Sequence, residues 1–218
     1  MRQISDIIRH LRTDFSAFEL NESDVEKNPL RQFAKWMEQA LEAEVNEPNA
    51  MTLATVNKKK QPDARIVLLR DVDKTGFTFF TNYQSRKGTQ MADNKQACLN
   101  FFWPELQRQV RILGTIEKLS AKASDAYFKT RPRESQLGAW ASDQSRELND
   151  RHALVERLEL LEKKFEGKAV VRPPHWGGYR LKPHHIEFWQ GRPSRLHDRI
   201  IYERSRNSGK WRIFRLFP

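Results

Sequence analysis

The sequence predicts a mainly β fold of the α+β class, built as an antiparallel sheet or barrel with helices at its rims. Short runs rich in β-branched and aromatic residues follow one another from residue 51 to residue 119, and tight turns separate them. Runs with the apolar spacing of a helix lie mostly before and after this region. Strands in succession, without a helix between each pair, are typical of antiparallel rather than parallel sheets.

Two helices are predicted ahead of the strands. Apolar residues recur at helical spacing in segment 3–15, so this segment is predicted to form a short amphipathic helix that reaches Phe15. The second helix is predicted to begin at Asn28 and Pro29, because Asn is a favoured N-cap and Pro is favoured at the first helical position. We expect this helix to end near Asn46.

Farther along the chain, apolar residues alternate between the two-residue spacing of strands and the 3.6-residue spacing of helices. Strands are expected at residues 51–56, 64–70, 77–81, 97–103 and 108–119, with more after residue 175 and about eight in all. Helices are expected at residues 85–94, 121–129 and 150–165, the first of them capped by Ser85. Arg131 and Pro132 are expected to stop the second, and residues 205–209 are expected to form a hairpin turn before the last strand.

Composition and charge limit the classes of function. The chain has 218 residues, 38% of them hydrophobic, and a net charge of +11, which suits a globular protein with an anionic partner. Nucleic acid, a membrane surface and phosphorylated small molecules all remain open on this ground. Cys98 is the single cysteine, which excludes an internal disulfide and a multi-cysteine metal site. No linker divides the sequence, so one domain spanning residues 1–218 is expected.

Several targeting and catalytic motifs are missing from the sequence. No apolar run is long enough to span a bilayer and no signal-peptide core is present, so a cytoplasmic protein is expected. The glycine-rich loops of dinucleotide-binding and P-loop enzymes do not occur, nor do the G-x-S-x-G elbow and the H-E-x-x-H zinc motif. We therefore expect no metal site and no nucleotide-binding fold of these classes.

Cationic side chains cluster at four places, namely the two ends of segment 65–70, Arg86 with Lys87, Arg131 with Arg133, and segment 195–199. Guanidinium groups suit phosphate oxygens, so the clusters favour two phosphate sites. If residues 196–202 form a strand, then Arg195, His197 and Arg199 project from one face of it. A solvated surface with no specific partner is the alternative for each cluster, and the residues alone do not decide between them.

Seven short blocks of the sequence resemble, in the same order, the pyridoxine/pyridoxamine 5′-phosphate oxidases, which are FMN enzymes. The blocks are RIVLLR from residue 65, FTN from 80, SRK from 85, RQV from 108, YF with RPRESQ in 127–136, QS from 144, and WQG from 189, which continues as GRPSRLHDR and is followed by WRIFRLFP. One block would be weak evidence, whereas seven in order are specific. The resemblance extends from about residue 29 to residue 218 and is fainter before it.

The resemblance implies a fold and an activity. The fold is an FMN-binding split β-barrel, and the activity is oxidation of pyridoxamine 5′-phosphate or pyridoxine 5′-phosphate to pyridoxal 5′-phosphate, with dioxygen as acceptor and hydrogen peroxide as second product. A homodimer with FMN at the subunit interface is implied, without a nucleic-acid or membrane partner. Segment 1–25 is expected to be an N-terminal helical segment that covers the active site.

The resemblance also implies roles for individual residues. Those expected to bind FMN are Arg65, Ile66, Val67, Leu68, Leu69, Arg70, Phe80, Thr81, Arg86, Lys87, Gln109, Gln144, Ser145, Trp189 and Arg199. Those expected to bind substrate are Arg12, Arg70, Tyr127, Arg131, Ser135, Arg195, Leu196 and His197. Arg195, which would orient the substrate, and His197, which would carry a proton, form the expected catalytic pair, and a structural role is the alternative for the histidine.

Three positions depart from the pattern that the resemblance implies. Arg70 stands where Lys is expected, so a planar fork replaces a point charge. Phe80 and Phe15 stand where aromatic hydroxyls are expected, so neither position can supply one. Two rival functions stay open. One is a flavin-binding relative of the same fold that oxidises no vitamin B6 phosphate, and the other is a non-enzymatic nucleic-acid-binding protein, suggested by the positive charge.

Overall fold

The structure is a computed structural model that describes residues 2–10, 15–16 and 18–218, without the side chains of residues 2, 3, 6 and 7. The chain divides into two compact units. Unit 1 comprises Met1–Pro48, Phe101–Arg111 and His185–Pro218, and unit 2 comprises Asn49–Asn100 and Ile112–His184. The expected substrate residue Arg12 lies outside the described residues.

The described residues contain six α-helices and nine strands. The helices are α1 Arg2–His10, α2 Pro29–Glu42, α3 Arg86–Asp93, α4 Ala121–Thr130, α5 Arg133–Ala141 and α6 Arg151–Lys164. The strands are β1 Ala50–Val56, β2 Pro62–Leu68, β3 Asp71–Asp73, β4 Gly76–Asn82, β5 Gln96–Trp103, β6 Arg108–Lys118, β7 Trp176–Gln190, β8 Asp198–Arg204 and β9 Trp211–Arg215.

The strands follow the order β2-β1-β5-β6-β7-β4-β3, and β8 pairs with both β7 and β9. Six pairings are antiparallel, namely β1–β2, β1–β5, β3–β4, β4–β7, β7–β8 and β8–β9. The mainly β, antiparallel fold class predicted from the sequence is therefore confirmed. In the β4–β7 register, Asn82 lies opposite Trp176, which places that indole at the end of β4.

Each unit has an aromatic core of its own. In unit 1, Phe33 packs against Phe101 and Trp103, while Trp36 meets Phe188 edge to face. In unit 2, a helix-side cluster is built from buried residues of α4, α5, the segment after α6 and the start of β7, namely Phe128, Leu137, Phe165, Val170 and Trp176. Trp176 of this cluster also lines the candidate site described below.

The predicted helix starts are confirmed by their caps. The Asn28 side chain accepts a hydrogen bond from the Leu30 amide, with Pro29 as the first helical residue. The Ser85 hydroxyl likewise accepts from the Gly88 amide and begins α3. Both caps satisfy amides that have no partner within the helix.

Several predicted boundaries are wrong. The described part of helix α1 is Arg2–His10, and Phe15 is not helical; its ring lies edge-on to Trp189 within unit 1. Helix α2 ends at Glu42, short of Asn46, because the chain turns through the positive φ of 51° at Glu44.

The predicted strand 64–70 ends at Leu68, and a further short strand, β3, follows it. Helix α5 was not predicted. Arg131 and Pro132 do end α4, but Pro132 is extended, with ψ of 143°, and serves as the N-cap of α5.

The predicted alternation of Arg195, His197 and Arg199 along one strand face is also wrong. Ser194 and Arg195 have positive φ angles of 55° and 62° and belong to a tight turn, so β8 begins only at Asp198. Arg195 and His197 therefore lie before the strand, and the period-two argument applies to neither.

Candidate active site

A cavity of about 480 Å³ opens in unit 2 between β2, β4, α3, α4 and α5. It brings together most of the residues that the sequence predicted for unit 2. Those that line it are Arg65, Ile66, Val67, Leu68, Arg70, Phe80, Thr81, Lys87, Tyr127, Arg131, Ser135 and Gln144. They come from five separate stretches of chain, so their convergence is a property of the fold.

The cavity wall is cationic. Arg65, Arg70, Lys87 and Arg131 all contribute to it, and no Asp or Glu is among the described residues that line it. Like charges brought together in a partly desolvated space repel one another. An anionic ligand would relieve this repulsion and supply acceptors for the N–H groups.

The Lys87 ammonium, which lines the cavity, is held by neutral oxygens. Its Nζ lies 2.8 Å from the Gln144 Oε1, 3.3 Å from the Thr81 hydroxyl and 3.4 Å from the Ser85 hydroxyl. Burial lowers the pKa of Lys87, and the charge of Arg65 lowers it further. An anion bound here would act in the opposite direction and favour the charged ammonium.

Arg65 stands beside Lys87 and is fixed by a polar network. Its Nη1 donates to the Leu53 carbonyl and to the Thr55 hydroxyl, and its Nη2 lies 2.7 Å from the Asp63 carboxylate. The Gln90 side chain joins the network, donating to Asp63 and accepting from Thr55. Arg65 is thus oriented before any ligand arrives, which lowers the entropy cost of binding.

Arg131, another cation of the lining, lies on aromatic rings. Its Cζ is 4.6 Å from the centroid of Trp176, and its buried Nη1 has no hydrogen-bond partner in the described part of the chain. Burial lowers the pKa of Arg131, as does the charge of Arg70. Phe80 stacks on Tyr127 at 3.8 Å and on Trp176 at 5.4 Å, both at 13° between ring planes.

Three other predicted residues of unit 2 do not line the cavity. Leu69 is 7% exposed and belongs to the core, and its amide donates to the Asn49 carbonyl. Arg86 is exposed at the first position of α3, one residue before Lys87. Ser145 is exposed and has a positive φ of 70°.

The remaining predicted residues belong to unit 1. The turn after β7 presents Arg195 and Leu196, both exposed. His197 is half-buried against Trp189, with ring centroids 4.5 Å apart, and its Nδ1 accepts a hydrogen bond from the Arg192 amide. Burial lowers the pKa of His197, and the charge of Arg195 adds to this effect.

Arg199 is also in unit 1, where it forms an ion pair with a buried carboxylate. Its Nε lies 2.7 Å from the carboxylate of the buried Glu187, which also bonds Arg111. Burial tends to raise the pKa of Glu187, but the hydrogen bond from Arg199 and the charge of Arg111 outweigh it and lower the pKa. Gln109, another predicted residue, is half-buried on β6.

Sequence reasoning missed five residues that line the cavity, namely Asn82, Gly138, Ala139, Ser142 and Trp176. Asn82 belongs to the FTN block and could have been taken with Phe80 and Thr81. Gly138 and Ala139 lie on α5, the helix that was not predicted. The Trp176 stack joins three separate elements, and no local pattern could have signalled it.

Two kinds of site are absent from the described residues. No group of three or more His, Cys, Asp or Glu side chains there could hold a metal ion. Among the same residues, no helix has both the length and the apolar character that crossing a bilayer requires.

Comparisons with known proteins agree over the whole chain. The family model described as pyridoxamine 5′-phosphate oxidase matches residues 37–164, and the model described as pyridoxine 5′-phosphate oxidase C-terminal dimerisation region matches residues 176–218. The pyridoxine/pyridoxamine 5′-phosphate oxidase 1 of Ralstonia nicotianae is 56% identical over 100% of both chains. The pyridoxine/pyridoxamine 5′-phosphate oxidase of a Cyanothece species is 54% identical over 97% of this chain and 98% of its own.

Solved structures show the same fold. PhzG from Burkholderia lata, determined in complex with tetrahydrophenazine-1-carboxylic acid, is 32% identical with a TM-score of 0.87, covering 94% of this chain and 100% of its own. A pyridoxamine 5′-phosphate oxidase-related, FMN binding protein from Nostoc punctiforme is 17% identical with a TM-score of 0.70, covering 88% and 98%. The expected split-barrel fold is thereby confirmed. By the identity to its relatives and the span of both family models, the chain belongs to the pyridoxamine 5′-phosphate oxidase family.

Proposed function

We propose that the protein is an FMN-dependent oxidase that converts pyridoxamine 5′-phosphate or pyridoxine 5′-phosphate to pyridoxal 5′-phosphate, with dioxygen as acceptor and hydrogen peroxide as second product. Family membership over the full chain supports this reaction. The observation that carries it is the cationic cavity of unit 2, whose lining includes Lys87 and Arg131 and has no carboxylate among its described residues.

The residues around Lys87 fit the phosphate of FMN. Lys87 has only neutral oxygens for partners, Arg65 is pre-oriented, and α3 begins beside them, so its first amides and its dipole also favour an anion. Thr81 and Gln144 add groups that can bond hydroxyls. When bound, FMN supplies the hydride-accepting and dioxygen-reducing chemistry that side chains lack.

The residues around Arg131 fit the phosphate of the substrate. Arg70 and Arg131 supply forked donors, and Tyr127 and Ser135, which also line the cavity, supply hydroxyls. Charge-assisted hydrogen bonds of this kind contribute about 1.5–3 kcal/mol each. Holding the phosphate at one end orients the substrate ring and its C4′ substituent, so the protein contributes chiefly position.

The catalytic pair and the assembly complete the proposal. In this proposal, Arg195 orients the substrate and His197 exchanges a proton with it. Both assignments rest on the family resemblance. The protein works as a homodimer, in line with the dimerisation region matched at residues 176–218. One domain spanning residues 1–218, a covering role for segment 1–25 and a cytoplasmic location also stay predictions.

An anaerobic titration tests the proposed function. The FMN-loaded protein is titrated with pyridoxamine 5′-phosphate while the flavin absorption band is followed. We expect the band to bleach and to return when air is admitted, with release of hydrogen peroxide. FMN binding without bleaching, with pyridoxine 5′-phosphate tried as well, would contradict the catalytic assignment while leaving the fold intact.

The same titration separates the two rival functions. A relative that oxidises another compound would bind FMN but leave it oxidised with both vitamin B6 phosphates. A nucleic-acid-binding protein would bind no yellow chromophore and would shift nucleic acid in a salt-dependent way. The cations of the unit 2 cavity line a concave space, whereas a nucleic-acid surface presents its cations along an exposed face.

A further inference from the structure

We propose that Trp176 is a positioning residue for substrate phosphate, because its indole sets the plane and place of the Arg131 guanidinium. This inference rests on the proposed function and deepens it. Trp176 carries no charge and was not assigned by the sequence blocks. We infer its role from the contacts of Arg131, whose guanidinium lies against aromatic rings and lacks a polar side-chain partner among the described residues.

Arg131 takes its orientation from rings. Its guanidinium makes no ion pair and no side-chain hydrogen bond among the described residues, and its Nη1 is buried without a partner. Its Cζ lies 4.6 Å from the Trp176 centroid and 5.6 Å from that of Phe128. A cation over the face of an aromatic ring is attracted by the ring quadrupole, and Trp gives the strongest such attraction.

Trp176 is itself fixed on several sides. It is 7% exposed, lies opposite Asn82 in the β4–β7 register and meets Phe128 edge to face at 5.2 Å. Phe80 stacks on it at 5.4 Å. An indole held in this way offers a rigid platform, so the guanidinium above it loses little freedom when a phosphate binds.

The same stack also holds Tyr127. The rings of Phe80 and Tyr127 are 3.8 Å apart, and the rings of Tyr127 and Trp176 are within 7° of parallel. Two proposed phosphate ligands, Tyr127 and Arg131, are thus positioned by one three-ring stack of Phe80, Tyr127 and Trp176. Phe80, which stands where Tyr is expected, contributes a ring face and no hydroxyl.

A core role without any part in binding is the competing explanation, because Trp176 also belongs to the buried cluster of unit 2. The two explanations predict different patterns. Loss of core packing lowers stability and affects all substrates alike, whereas loss of a platform under Arg131 affects only ligands that carry a phosphate.

The experiment uses the FMN-loaded Trp176→Leu and Trp176→Phe variants. KM and kcat are measured for pyridoxamine 5′-phosphate and for pyridoxamine, which lacks the phosphate, and inorganic phosphate is titrated calorimetrically as a direct probe of the site. We expect Leu to raise KM for the phosphate ester and to weaken phosphate binding about tenfold, with kcat changed less than threefold. Phe should restore most of the affinity, and kcat/KM for pyridoxamine should stay within about twofold.

Trp140→Leu is the matched control. Trp140 packs against the same cluster and has Lys164 at 5.2 Å from its ring, but it does not line the cavity. We expect it to lower stability without changing phosphate affinity. Equal losses for both substrates, or unchanged phosphate binding in Trp176→Leu, would overturn the inference. A wild-type protein that binds phosphate but oxidises neither substrate would instead overturn the proposed function, and calorimetry would still decide the role of Trp176.

Discussion

Cations that line the unit 2 cavity and arginines on β8 and β9 of unit 1 have different kinds of partner. In the unit 2 cavity, Lys87 has neutral oxygens for partners and Arg131 has aromatic rings. In unit 1, Arg199 is bonded to the buried Glu187, and Arg215 is bonded to Glu22 and Asp198. Arginine is abundant in both regions, so its presence in the sequence does not mark a binding site.

This difference in partners indicates which cations an anionic ligand would bind. A cation already bonded to a carboxylate offers little to an incoming phosphate, because binding would have to replace a satisfied pair. A cation held by neutral groups still lacks its counter-charge. Arg65 is intermediate, since it bonds Asp63 and yet lines the cavity. The comparison predicts that the ion pairs of Arg199 and Arg215 matter to stability and the cations of the unit 2 cavity to binding.

The largest effect is expected from Glu187→Gln, which tests the structural half of the comparison. Glu187 is 2% exposed and compensates both Arg111 and Arg199. Removing one partner of a buried pair leaves the others uncompensated, so the free energy of unfolding should fall by about 3 kcal/mol. Urea unfolding followed by circular dichroism measures this. Asp143→Asn, which removes the exposed pair with Arg157, should cost less than about 1 kcal/mol.

Arg195→Ala sharpens the comparison within unit 1. Arg195 is exposed and has no ion pair among the described residues, unlike Arg199. If it orients the substrate, its loss should lower turnover about a hundredfold while FMN affinity stays nearly the same. Steady-state kinetics and a fluorescence titration of FMN give the two numbers. Equal losses in both would remove Arg195 from the substrate side.

The Arg131→Ala variant tests the prediction that the cations of the unit 2 cavity act in binding. We expect KM for pyridoxamine 5′-phosphate to rise by tens-fold, a loss of about 2–3 kcal/mol, with little change in the free energy of unfolding. The stability should hold because Arg131 makes no ion pair among the described residues. Arg157→Ala, which removes a paired arginine outside the cavity, serves as the control. An unchanged KM would exclude Arg131 from the phosphate site.

The smallest effect concerns acid stability. Hydrogen bonding to Arg215 lowers the pKa of Glu22 from 4.5 to about 2. Because the folded-state pKa is depressed, Glu22 contributes stability above pH 4.5 and loses that contribution as the pH falls towards 2. Its side chain is 52% exposed, so the contribution should be under about 1 kcal/mol. Urea unfolding of wild type and Glu22→Gln should differ at pH 6 and converge near pH 2.

Local signals in the sequence predicted much of the fold. Asn28 and Ser85 marked helix starts because a cap acts within its own turn. Helix α5 was missed because Pro132 can both stop one helix and cap the next, and the sequence does not show which. The turn at Ser194 and Arg195 was missed because neither residue is Gly, although both adopt positive φ.

The features of the site also divide into those that a local sequence signal reveals and those that depend on the fold. The resemblance identified twelve of the residues that line the cavity, from Arg65 to Gln144, because each lies in a short block that can be compared in order. It could not reveal that Arg199 is bonded to Glu187, since the pair depends on the register of β7 and β8. Nor could it reveal the support of Arg131 by Trp176, 45 residues later in the chain.

The hydrogen bond from the Arg192 amide to His197 has a consequence for the tautomer of the ring. With Nδ1 occupied as an acceptor, the proton of the neutral imidazole resides on Nε2. The lowered pKa of His197 favours that neutral form. The ring therefore offers a donor at Nε2 and no lone pair there. It can stabilise a developing negative charge directly, whereas taking up a proton at Nε2 requires the tautomer to change and the Arg192 contact to break.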